Sequence, residues 1–190
     1  MSDEPHRPST TRLVNFSDAV VAIAATLLVL PLVEEAGSLG DHGVAAFLGD
    51  NAQRILVFVL SFVVISRFWL VHHEIFKSID VMSRAVVWVN SLWLLSIVFL
   101  PFPTEIIGAA DSHDPVSNGL YVGTMLITSV AELVLARLAG LPLVGYLATA
   151  IGMSLAFVLA VFVPPIGLFA LLVLVVTAPA VRVLRRATAR

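Results

Sequence analysis

The stretch TRLVNFSDAVVAIAATLLVLPLVEE, Thr11 to Glu35, carries a carboxylate, Asp18, inside an otherwise apolar run, directly after Phe16 and Ser17. A carboxylate near hydrocarbon is costly unless it faces protein, water or a partner, so Asp18 marks a site with a structural or functional task. Side chains able to donate to it lie further along the chain: His72, His73, Trp88, Asn90 and Trp93. Imidazole, indole N–H and the Asn amide are all donors. The run His72-His73-Glu74 also suggests metal ligation, but neighbours on a helix point about 100° apart, whereas helical metal sites use i, i+4 spacing. We therefore expect these residues to cap a helix or to join a polar network rather than to bind metal. The chain has no cysteine, which excludes disulfides, thiolate metal sites and cysteine nucleophiles. An enzyme would need converging nucleophiles, acids or metal ligands, and no such set is in register.

The elements that position these residues are membrane helices. The 190 residues are 59% hydrophobic and 13% charged, with a mean hydropathy of +1.00, outside ordinary soluble composition. The sequence pattern predicts an all-α integral membrane protein with six spans, at 11 to 33, 51 to 73, 82 to 103, 117 to 137, 141 to 162 and 165 to 184, forming one unit over 1–190. The polar opening MSDEPHRPST lacks a cleavable-signal pattern, so the first run is expected to stay in the mature protein. LAGLP and VPPIG read as tight turns between antiparallel neighbours, and the two prolines of PFPT (Pro101 to Thr104) as the outer end of the third helix.

Ten of the eleven Lys and Arg residues fall on one side of this layout, all but Arg54, while Glu34, Glu35, Asp41, Asp50, Glu105, Asp111 and Asp114 fall on the other. Cationic residues accumulate in short cytoplasmic loops, which predicts that both termini are cytoplasmic. The arginines of VRVLRRATAR are then juxtamembrane charges able to meet anionic lipid, and no nucleic-acid partner is expected. Trp69 reads as an interfacial anchor, Trp93 as packed within the bundle, and Glu132 with Arg137 as an interfacial charge pair.

A helix capped at Asp18 would span about 22 Å, too short for a hydrocarbon core of about 30 Å, so the first helix should begin near Thr10 or Thr11 and enclose Asp18. At about 100° per residue, Arg12, Ala19, Ile23, Thr26, Leu27 and Leu30 share one face. Asp18 points about 120° away from Arg12, toward sibling helices, as structural glue. Ala19, Ala22, Ala24 and Ala25 let other helices approach closely.

The motif Arg12-x-x-x-Phe16-Ser17-Asp18, followed in order by FWLVHHEIF (Phe68 to Phe76) and NSLWLLSIVFLPFPTEIIG (Asn90 to Gly108), resembles the transmembrane protein 175 family, the lysosomal potassium channels and their bacterial relatives. The matching motifs cover the first three helices; the last three agree only in number, length and apolar character. The resemblance implies a potassium-permeable channel, with potassium as permeant ion and no cofactor. It also implies a homotetramer of six-helix subunits in the bacterial inner membrane, whose first helices line a central pore. It places the constriction at Ile23, Leu27 and Leu30 with Thr26 adjoining, and gives Arg12, Phe16, Ser17 and Asp18 a polar network with His72 or His73, Trp88 or Trp93, and Asn90.

The chain has no TVGYG-like carbonyl filter and no acidic ring on the stripe, so selectivity would come from a narrow apolar constriction that forces partial dehydration. That predicts modest preference for potassium over sodium. The alternative is an ion-coupled secondary transporter of a small cation, whose usual marks are internal repeats and broken helices. Neither is evident in the sequence.

Overall fold

The computed structural model describes residues 10–37, 43–79, 82–109 and 114–163. Among the described residues the chain forms α1 (Thr10–Leu27), α2 (Leu30–Ala36), α3 (Val44–Asp50), α4 (Ala52–Phe76), α5 (Arg84–Phe99), α6 (Pro101–Ala109), α7 (Pro115–Leu138) and α8 (Val144–Phe162). Joined end to end where they nearly touch, these give five spans long and apolar enough to cross a membrane: Thr10–Ala36, Ala52–Phe76, Arg84–Ala109, Pro115–Leu138 and Val144–Phe162. The expected sixth helix, 165 to 184, lies outside the described residues.

Helix ends follow local chemistry. Ser83 accepts from the Val86 N–H at the start of α5, and Asp114 accepts from the Val116 and Ser117 N–H groups at the start of α7, where Pro115 needs no donor. The Ser117 hydroxyl and N–H hold the Asp114 carboxyl below its usual range. Gly140, at φ 69°, ends α7 in the left-handed conformation that glycine adopts without strain.

Two spans are broken where the sequence pattern suggests continuity or an end. Pro31 has no N–H to give the Leu27 carbonyl and its ring crowds that carbonyl, so the first span divides at Leu28 and Val29 into α1 and α2. PFPT does not end the third span: the chain turns at Leu100 and resumes as α6 through Ala109. Pro101 and Pro103 fall in the first turn of that new segment, where a missing N–H costs nothing. The Thr104 N–H then donates to the Leu100 carbonyl across the junction, at 3.1 Å.

The packing centres on α7, which lies against α8 and α5, while α1 rests on α4 and α5. Trp93, Phe68, Ile97, Tyr121, Met125 and Leu135 are fully buried between these helices. A Cβ on Gly123 would come within 3.1 Å of the Phe157 ring, so the Gly119-x-x-x-Gly123 spacing sets the close α7–α8 approach. Small polar side chains add cross-helix bonds. Ser61 Oγ of α4 lies 2.7 Å from Tyr121 Oη of α7 and 3.0 Å from Thr104 Oγ1 of α6, and Thr128 Oγ1 of α7 lies 2.9 Å from Ser96 Oγ of α5.

Candidate functional site

Helix α1 has two apolar faces with opposite surroundings. Ser17, Val21, Ala24 and Leu28, at the 4-3-4 spacing of one helical stripe, are buried against the bundle. Ile23, Thr26, Leu27 and Leu30 are turned away from it, with Ile23 61% exposed. Thr26 Oγ1 donates to the Ile23 carbonyl at 2.8 Å, which leaves only its lone pairs facing outward. The α1–α2 break falls between Leu27 and Leu30, so the stripe crosses from one helical segment to the next.

The polar residues sort into two strands of contact. In the first, fully buried, His72 Nε2 donates to Asn90 Oδ1 at 2.7 Å and Asn90 Nδ2 donates to Ser17 Oγ at 3.1 Å. Ser17 Oγ in turn donates to the Leu13 carbonyl at 2.9 Å. Because the amide oxygen can only accept, this arrangement puts the imidazole proton on Nε2. Trp93 and Phe76 sandwich the ring of His72, with centroids at 3.9 and 4.4 Å. In the second strand, Asp18 accepts from Trp69 Nε1 at 2.8 Å, and the Trp69 ring lies against His73, with centroids 5.8 Å apart.

The motif residues therefore divide the work. Ser17, not Asp18, is the α1 residue tied to His72 and Asn90, and the indole that serves Asp18 is Trp69, expected only as an interfacial anchor. Trp88 stands outside the network, 75% exposed, because it precedes Asn90 by two positions and so occupies the opposite side of α5. Arg12 and Phe16 are exposed on the protomer. Glu132 is not an interfacial partner of Arg137. It is buried on α7 within electrostatic reach of Arg67 on α4, a pairing across 65 positions that linear spacing does not disclose. Among the described residues no group of three or more His, Asp or Glu is gathered as metal ligands would be.

The geometry has counterparts among known proteins. The family described as endosomal/lysosomal potassium channel TMEM175 matches residues 12–101, the part that holds the Phe-Ser-Asp motif, both histidines and Asn90. The chain also superimposes on the crystal structure of a lysosomal potassium-selective channel TMEM175 homolog from Chamaesiphon minutus with a TM-score of 0.78 and 26% identity, covering 92% of this chain and 98% of that one. The chain belongs to the TMEM175 family. Two bacterial relatives in that family are named potassium channels. One from Chamaesiphon minutus is 32% identical over 133 residues, 68% of this chain and 66% of that protein, and one from Streptomyces collinus is 34% identical over 107 residues, 56% and 52%. The aligned stretch thus spans about half to two thirds of these relatives. TMEM175 proteins are ion channels, not enzymes, and this member is a membrane protein with several apolar helices.

Proposed function

We propose that this chain is one subunit of a potassium-permeable channel in the bacterial cell membrane, with potassium as the permeant ion and no cofactor. Four identical six-span subunits surround an axis, with α1 of each lining the pore and both termini cytoplasmic. The observation that carries this reading is the second apolar face of α1: Ile23, Leu27 and Leu30 lie outside the protomer's packing, while Ser17, Val21, Ala24 and Leu28 fix the helix from behind. Copies arranged around an axis turn that face into stacked apolar rings, with Thr26 adjoining. Such rings are a barrier to a hydrated cation unless the ion sheds part of its water, which gives gating by dewetting and modest discrimination of potassium over sodium.

The broken first span favours comparison with the ion-coupled transporter reading, since discontinuous helices also mark transporters. The two readings differ in a flux measurement on purified protein in liposomes. Passive potassium flux driven by its gradient, with a reversal potential set by potassium and sodium alone, supports the channel. Flux that requires a second ion moving with or against it supports the transporter. Orientation is tested separately: cysteines at Ser2 and Thr188 should resist impermeant thiol reagents in intact cells, and labelling of either from outside would reverse the topology.

A further inference from the structure

Behind the His72 strand, and touching it through the Trp93 ring, lies a second buried polar cluster whose hydrogen-bonding atoms serve neither the proposed pore nor the Phe-Ser-Asp motif. Glu132 of α7 is 2% exposed and Trp93 of α5 is fully buried. Glu132 Oε1, Trp93 Nε1, and Nε and Nη1 of Arg67 are all shielded from solvent, and none has a hydrogen-bond partner in the protein. The Arg67 charge acts on the Glu132 carboxylate, and the Trp93 indole N–H lies beside it without closing a hydrogen bond of good geometry. Three donors from α4 and α5 thus gather about one acceptor of α7 without closing a hydrogen bond of good geometry. Buried groups of this kind are not left dry, because each has given up its water without replacement.

We propose that Arg67, Trp93 and Glu132 enclose one or two bound water molecules, and that this water-bridged cluster anchors His72 and, through it, α1. The donor and acceptor balance suits water, which can accept from Trp93 Nε1 and Arg67 while donating to Glu132 Oε1; an internal water needs two to four such partners. A bound cation would leave the indole and guanidinium donors unserved. Ring stacking and hydrogen bonds carry the anchoring: the Trp93 ring stacks on His72 at 3.9 Å, tilted by 19°, and His72 leads through Asn90 to Ser17. Arg67, Trp93 and Glu132 are positioning residues, since none lies on the exposed stripe of α1. The water site stands independently of the channel reading; its effect on permeation rests on that reading.

The test is a structure of the full-length assembly in lipid nanodiscs at a resolution that shows ordered water, for the wild type and for Glu132→Gln, Glu132→Leu and Arg67→Met/Glu132→Leu, with thermal midpoints and potassium-to-sodium permeability ratios for each. The wild type should show water density within hydrogen-bond distance of Glu132 and of Arg67 or Trp93. Glu132→Gln, which keeps the shape and an acceptor, should retain it. Glu132→Leu should lose the water, displace His72, lower the midpoint by roughly 5 °C or more and change the permeability ratio. The double variant, which buries no stranded charge, should regain much of that loss even if the single variant folds poorly. Direct contact among the three side chains with no water between them would overturn the water site, as would a double variant no more stable than Glu132→Leu. Loss of the water with His72 and the permeability ratio unmoved would overturn the anchoring. Failure of the channel reading would show differently, as absence of passive potassium flux in the wild type.

Discussion

The two faces of α1 have nearly the same apolar character and opposite fates. On one, Ser17 and Ala24 are small enough for α4 and α5 to come close, Val21 and Leu28 are buried in line with them, and Ser17 receives the Asn90 amide; on the other, Ile23, Leu27 and Leu30 stay exposed on their own protomer. Hydrophobicity does not separate them, because in a bilayer an apolar surface loses nothing by facing lipid tails. The small side chains of Ser17 and Ala24, and the bond that Asn90 makes to the Ser17 hydroxyl, do. The packed face holds the helix in place, and the free face is left available to whatever stands beside the protomer.

Substitutions that exchange these properties should break the contrast, the largest effect first. Asn90→Ala removes the residue joining His72 to Ser17 and strands the His72 N–H, each unsatisfied buried group costing about 1 to 3 kcal/mol, so a loss of roughly 2 to 4 kcal/mol is expected. Thermal unfolding of the purified assembly measures it, and a loss below about 1 kcal/mol would mean that the packed face does not depend on this strand. Ala24→Phe puts a ring where there is no exposed surface and should cost roughly 1 to 3 kcal/mol by overpacking, with reduced oligomer yield on size exclusion. Ile23→Phe, one position earlier on the free face, should leave protomer stability within about 0.5 kcal/mol.

Smaller effects sharpen the contrast. Trp69→Phe takes one indole donor from the half-buried Asp18 and should cost about 1 kcal/mol, because water can partly replace it there. Equal losses for Trp69→Phe and Asn90→Ala would show that the Asp18 and Ser17 strands bear equally on α1. Thr128→Val, which breaks the α7–α5 contact with Ser96, should cost only about 0.6 kcal/mol, the usual worth of a cross-helix bond in a membrane protein.

The features legible in the sequence are those that depend on local geometry. Membrane class comes from apolar runs, the enclosure of Asp18 within α1 from the length a span requires, and the grouping of Ile23, Thr26, Leu27 and Leu30 from the helical period; that group is also the one the protomer leaves exposed. The features that stay hidden depend on which helices become neighbours. Asp18 has several candidate donors of the right chemistry, and only the crossing of α1 with α4 selects Trp69. Glu132 reads as a partner of nearby Arg137 until α7 is laid against α4 and α5. PFPT shows a third kind of difficulty, since a proline can end a helix or begin one, and only the helical segment beyond it, through Ala109, separates the two outcomes.

The central claim is that the free face of α1 lines the ion pathway, and Ile23→Asn tests it most directly. Single-channel recording under bi-ionic potassium and sodium, on protein shown to be correctly assembled, should give a higher conductance and a weaker preference for potassium, because the amide keeps the constriction wet and offers oxygen to a partly dehydrated ion. The same change at Val21, on the packed face, should instead impair assembly. Unchanged conductance and selectivity in a well-assembled Ile23→Asn channel would contradict the account, and would remove α1 from the pore.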